Sequence, residues 1–88
     1  MKNRHKWELF IGGIPYESTE VDIRKYFSEK GVNLFTIRIL RDSSGFSKGI
    51  AFGLAENEEN FERGIKLNGQ MMGDRQLRIK LADQKKSD

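Results

Sequence analysis

Leu9-Phe10-Ile11-Gly12-Gly13-Ile14 and Lys48-Gly49-Ile50-Ala51-Phe52-Gly53 are the two stretches whose reading decides the fold. Both are short and apolar enough to be strands, and each places an aromatic where a hydrophobic core does not want one. Side chains alternate between the two faces of a strand. If Leu9 and Ile11 point to a core, Phe10 points out, together with Glu8 and Gly12. In the later stretch Lys48, Ile50, Phe52 and Leu54 share one face and the small residues Gly49, Ala51, Gly53 and Ala55 share the other. A lysine at one end of the first set marks that set as the solvated one, so the small face lies against something bulky, a helix. An aromatic facing out of a sheet asks for a flat partner, and in a basic chain the natural flat partner is a nucleobase.

Working outward, the first strand runs from Trp7 to Ile14 and is ended by Pro15, which cannot donate a ladder hydrogen bond. Thr19 caps a helix whose third position is Asp22, with Ile23 and Phe27 four apart on its inner face and Gly31 as its stop. Leu34 to Arg41 alternates again, with Ile37 and Ile39 inward and Thr36, Arg38 and Leu40 outward. Asp42-Ser43-Ser44-Gly45 is turn chemistry, which makes the next strand the second arm of a hairpin. Asn57 caps a second helix with Glu58 and Glu59 at its positive end, and Phe61 and Ile65 form its inner stripe. Gly64 weakens that helix by ~1 kcal/mol relative to alanine, so a close approach to the sheet is the reason to keep it. Asn68-Gly69 ends the helix. Gln70 to Asp74 is a loop or small hairpin, and Gln76 to Leu81 is a last strand with Leu77 and Ile79 inward and Arg78 and Lys80 outward.

The strand-helix-strand unit thus occurs twice. The expected fold is α+β: a ferredoxin-like β-α-β-β-α-β sandwich, a four-stranded antiparallel sheet with two helices on one face. The open face would collect Phe10, Phe52, Ile50, Arg38, Lys48, Arg78 and Lys80, two rings set among bases.

Composition narrows the function. The chain has 88 residues, no cysteine and one histidine. That length makes one domain, able to bury about 60–65% of its extended surface without disulfide or metal. No thiolate site or thiol nucleophile exists, and His5, among Lys2, Arg4 and Lys6, reads as a solvated residue of a basic N-terminal arm over 1–6. No cofactor or metal is expected. The apolar runs are too short for a membrane span or a signal-peptide core, so the chain reads as soluble and intracellular. The formal charge is +3, unevenly spread. Glu17 to Gly31 holds four acids against three bases, Glu56 to Leu67 four against two, and Arg75 to Lys86 one against five. Acidic helices with basic strands are an electrostatic footprint for a polyanion.

With these residues in place the chain resembles an RNA recognition motif from Trp7 to Ala82, leaving 83–88 as a polar, mobile tail. Leu9-Phe10-Ile11-Gly12-Gly13-Ile14 matches that family's first signature, and the Gly-Gly followed by Ile-Pro-Tyr is similar to heterogeneous nuclear ribonucleoprotein A/B and Musashi-like domains. Ser47-Lys48-Gly49 and Ala51-Phe52 match the start and middle of the second, K/R-G-F/Y-G/A-F-V-x-F/Y. Asn68-Gly69 and Gly73-Asp74-Arg75-Gln76-Leu77 resemble the family's loop and last strand.

Two departures stand out. Ile50 occupies a position where the family usually carries an aromatic that completes a three-ring platform. Gly53 and Ala55 replace an inward valine and aromatic, leaving space for which Trp7 and Phe35 are the candidates.

The resemblance implies that Phe10 and Phe52 stack successive bases, that Lys48, Arg38, Arg78 and Lys80 contact phosphate or base edges, and that the tail after Leu81 can close over the strand. Phe46, where the family commonly has a basic residue, either adds a stack at the rim or folds onto its own loop. Tyr16 either extends the platform or shields the start of the first helix, the second being favoured. The implied function is binding of single-stranded RNA, with single-stranded DNA a second candidate. A monomeric module of a larger mRNA-processing or regulatory protein, nuclear or cytoplasmic, fits that reading.

The competing class is a protein interaction module on the same fold, made credible by the missing third ring. The arginine-x-phenylalanine signature of peptide-binding relatives is absent, since Arg75 is followed by Gln76-Leu77. An acylphosphatase-like hydrolase is disfavoured, because Ser43-Ser44-Gly45 lacks a phosphate loop's glycine-lysine pattern and no nucleophile-base pair is readable.

Overall fold

In the computed structural model, which describes residues 7–82, the alternating stretches pair into one antiparallel sheet. The elements are β1 (Glu8–Gly12), α1 (Glu20–Glu29), β2 (Leu34–Arg41), β3 (Ser47–Ala55), α2 (Glu58–Ile65), β4 (Met71–Met72), β5 (Arg75–Gln76) and β6 (Arg78–Leu81). The four-stranded sheet has the order β2-β3-β1-β6, and β4 and β5 form a separate two-stranded hairpin. This is the expected β-α-β-β-α-β sandwich with an extra hairpin before the last strand. The expectations for the arm over 1–6, including His5, and for the tail over 83–88 lie outside the described residues.

Local chemistry explains where the helices start. Thr19 and Asp22 form a capping box: Thr19 Oγ1 accepts from Asp22 N at 3.2 Å and Asp22 Oδ2 accepts from Thr19 N at 2.9 Å. Ile23 and Phe27 are fully buried one turn apart, and Gly31 leaves the helix at φ +82°. Asn57 Oδ1 accepts from Asn60 N at 2.9 Å and caps α2. Arg24 ties α1 to β2 by donating to the Leu34 carbonyl. The Tyr26 hydroxyl donates to the Met71 carbonyl at 2.9 Å, and desolvation pushes its phenol above the usual value. Between β2 and β3, Asp42 Oδ1 accepts from Ser44 N at 2.9 Å and Phe46 N at 3.0 Å, which holds the turn that its composition announces.

The core forms where Leu9, Ile11, Ala51 and Ile79 of the sheet meet Ile23 and Phe27. The small face of β3 is buried as the alternation requires. The space opposite Gly53, however, is not taken by Trp7 or Phe35. A Cβ at Gly53 would stand 3.0 Å from Leu34 Cδ1 and 3.4 Å from Ile11 Cδ1, while Phe35 is 67% exposed. A register shift between Leu34 and Thr36 is the reason. The irregularity puts Leu34 and Ile37 on the same inward side and expels Phe35. Trp7 is half-buried and packs against the edge of the core.

Helix α2 also differs from its expected stripe. Its buried positions are Asn60 and Gly64, one residue before Phe61 and Ile65, which are half-buried against the core. Gly64 lets the helix sit on β1, since a Cβ there would come within 2.6 Å of Leu9 Cδ1. The buried Asn60 is a connector: its Oδ1 accepts from Asn33 N at 2.8 Å and its Nδ2 donates to Asn57 Oδ1 at 2.8 Å. Asn60→Ala should therefore cost about 1–3 kcal/mol, the penalty for leaving the Asn33 N–H without an acceptor. Urea denaturation measures it, and a loss below ~0.5 kcal/mol would mean that water already serves that N–H.

Strand limits shift for hydrogen-bonding reasons. The last sheet strand begins at Arg78, because Leu77 N donates to Gln70 O at 2.8 Å and Gly69 N donates to Leu77 O at 2.9 Å. Gln76 belongs to the small hairpin instead. Strand β1 stops at Gly12, before Gly13 at φ +76°. No helix among the described residues is long and apolar enough to cross a membrane.

Candidate nucleic-acid interface

The sheet register aligns the outward side chains into rows. Lys80 pairs with Phe10, Phe10 with Phe52, and Phe52 with Arg38. One row therefore crosses all four strands as base, ring, ring, base. Arg38 Cζ lies 4.9 Å from the Phe52 ring centroid and Lys80 Nζ 5.3 Å from that of Phe10, so each ring carries its own cation. The ring centroids are 5.9 Å apart and their planes meet at 69°, an edge-to-face pair. Two bases stacked on these rings cannot stay parallel to each other.

The neighbouring row is Arg78, Gly12 and Ile50. Ile50 is half-buried beside the rings, an apolar surface where a third ring would complete the platform. Lys48 is exposed near the start of β3. On the other side of the ring row, Glu8, Leu54 and Thr36 form the least basic line of the face. Phe46 is 71% exposed in its turn, so its ring stands at the rim and is not folded onto its own loop. Thus Phe10, Phe52, Ile50, Arg38, Arg78 and Lys80 gather on one face in two adjacent rows, with Lys48 and Phe46 toward the β2–β3 turn. Phe10 also borders a groove of about 590 Å³ that runs past Asn68, Gly69, Gln76, Arg78 and Lys80.

Tyr16 stands against the start of β3 and beside the small hairpin. Its Cε1 would stand 3.1 Å from a Cβ on Gly49, which has φ +78°, and Arg75 Cζ lies 5.0 Å from its ring centroid. No motif in the sequence assigns Arg75 or Gln76 a site role. Their only signal was a hairpin-like Gly73-Asp74 just before them, and what the hairpin faces is a matter of tertiary contact.

Known proteins match this arrangement. A model of the RNA recognition motif covers residues 9–78. The chain belongs to the RNA recognition motif family. Phragmoplastin interacting protein 1 of Arabidopsis thaliana is 40% identical over 82% of this chain and 12% of its own length. Human RNA-binding protein 34 is 35% identical over 88% of this chain and 18% of its own length. The chain therefore spans less than a fifth of either relative. Among solved structures, the Rna15 RNA recognition motif with bound GU RNA superposes with a TM-score of 0.76 at 29% identity, covering 88% of this chain and 83% of that one. The likeness extends over nearly the whole RNA recognition motif.

Proposed function

We propose that this RNA recognition motif is a binding module for single-stranded RNA, with no catalytic chemistry, that holds its ligand on the open sheet face. The single observation that carries the reading is the Lys80–Phe10–Phe52–Arg38 row. Phe10 and Phe52 each stack one base, Arg38, Lys80, Arg78 and Lys48 engage phosphates or base edges, Ile50 adds apolar contact, and Phe46 offers a ring at the rim. Sequence is then read from splayed bases, the usual route for RNA because the major groove of its duplex is too narrow to enter. Structures of relatives solved with RNA support the reading. A monomeric unit between residues 7 and 82 of an mRNA-processing or post-transcriptional regulatory protein, nuclear or cytoplasmic, is the setting that fits. Titration with short homopolymeric and mixed RNA oligomers, followed by Trp7 fluorescence and amide shifts, tests it. Binding of a peptide but of no RNA would transfer the face to the protein-interaction class.

The charge pattern sets an expected salt response. With three to four phosphates neutralised, log affinity should fall against log salt with a slope of roughly −2 to −3, about −0.7 per phosphate. Arg78→Ala or Lys80→Ala should flatten that slope by about 0.7 each. A slope unaffected by either change would remove these residues from the phosphate contacts.

Ile50→Phe supplies the missing third ring. It should tighten RNA binding by up to ~1–3 kcal/mol if the ring stacks a full base. The thermal midpoint should hardly move, since a surface change away from packing is usually within about ±0.5 kcal/mol. Lost stability without a gain in affinity would mean that this position is covered rather than open.

A further inference from the structure

At the Gly12 end of the face the ring row gives way to a second groove of about 420 Å³, lined by Phe10, Gly12, Gly13 and Ile50 with Arg75 and Arg78. Its floor is bare backbone. A Cβ on Gly12 would stand 3.1 Å from Phe10 Cε2 and 3.8 Å from Arg78 Cβ, and one on Gly13 would strike the Gln76 carbonyl at 2.2 Å. The Phe10 ring edge and Ile50 offer a base apolar contact in a groove whose lining is otherwise polar. The polar groups stand around it. Neither Arg75 nor Arg78 pairs with a carboxylate among the described residues. Arg75 has a support of its own: its Cζ lies over the Tyr16 ring, 5.0 Å from the centroid, and that ring rests against Gly49. Stacking uses the flat side of a guanidinium and leaves the N–H fork at its edge free.

We propose that this groove is a guanine subsite, in which the Tyr16-backed fork of Arg75 donates to O6 and N7 of a base adjoining the one on Phe10, while Arg78 keeps its contact to phosphate. The subsite rests on the reading of the open face as RNA-binding. Guanine is selected because its Hoogsteen edge presents two adjacent acceptors, matching two donors. Adenine presents an acceptor and a donor there, cytosine a donor, and uracil a single acceptor. Tyr16 and Gly49 are positioning residues, since they hold Arg75 without reaching the base.

The test uses uridine heptamers carrying one guanine moved position by position, with adenine and 7-deazaguanine counterparts. One position should favour guanine over uracil by about tenfold, the scale of a good bidentate contact, and 7-deazaguanine, lacking the N7 acceptor, should lose most of that preference. Arg75→Ala should bring the preference close to one, with a larger loss for the guanine heptamer than for the all-uridine one. Arg75→Lys keeps the charge but not the fork, and should lose the preference as well. Tyr16→Phe, which retains the stack, should keep it, and Tyr16→Ala should weaken it. Equal loss for every oligomer in Arg75→Ala, recovered in Arg75→Lys, would make Arg75 a phosphate contact and overturn the subsite. Wild-type binding of all heptamers without guanine preference would overturn the subsite and leave the RNA-binding face standing. Failure to bind any heptamer would overturn both.

Discussion

Phe27→Ala should destabilise the domain by about 3–5 kcal/mol, the range for removing a fully buried aromatic. Phe27 has no exposed surface, packs edge-to-face on Tyr26 with centroids 5.4 Å apart, and belongs to the cluster where α1 meets the sheet. Alanine's better helix propensity returns only a few tenths of a kcal/mol. Domains of this kind are stable by about 5–15 kcal/mol in all, so the variant gives up a large share of its margin. Urea denaturation reads it as a lower midpoint with a similar slope. Val21 on the same helix is 73% exposed, and Val21→Ala should stay within about 0.5 kcal/mol of wild type. Equal effects at the two positions would mean that α1 does not bury the face described.

Phe10→Ala and Phe52→Ala should each weaken RNA binding by ~1–3 kcal/mol, the contribution of one stacked base, or about 5- to 150-fold in dissociation constant. Both variants should remain folded, because the rings stand outside the core on the open face. Stability should still fall by ~0.5–1.5 kcal/mol, since the two rings contact each other edge-to-face. The same contact makes the double variant non-additive. Calorimetric or fluorescence titration beside thermal denaturation separates affinity from folding. A variant that unfolds would return its ring to the core, and one that binds RNA as wild type does would remove it from the interface.

Much of the architecture was legible because its determinants are local. A period of two between Leu9 and Ile11 is enough to turn Phe10 outward, and the small face of β3 turns Phe52 the same way. Thr19 with Asp22, Asn57, and Asp42 with Gly45 marked two helix starts and a hairpin through hydrogen bonds spanning a few residues. Gly64 announced a close approach through its cost to a helix, and Leu9 is what it approaches.

What escaped the sequence depends on residues far apart in the chain. One irregular register step at Phe35 hands the space at Gly53 to Leu34, and no local pattern encodes such a step. Asn60 shares the inward face of α2 with Gly64, and it is tolerated there because it gives the distant Asn33 N–H an acceptor. The start of β6 follows from Gly69 and Gln70, which together take both the carbonyl and the N–H of Leu77.

For the interface the division is the same. The sequence by itself determined that two rings and several bases share an exposed face, since side-chain alternation is a property of each strand alone. Only the tertiary structure decided that Lys80, Phe10, Phe52 and Arg38 stand in one row, that the rings meet at 69°, and that Arg75 lies on Tyr16. Those relations arise from strand register and hairpin docking, which are settled when the whole core packs and not by any one segment.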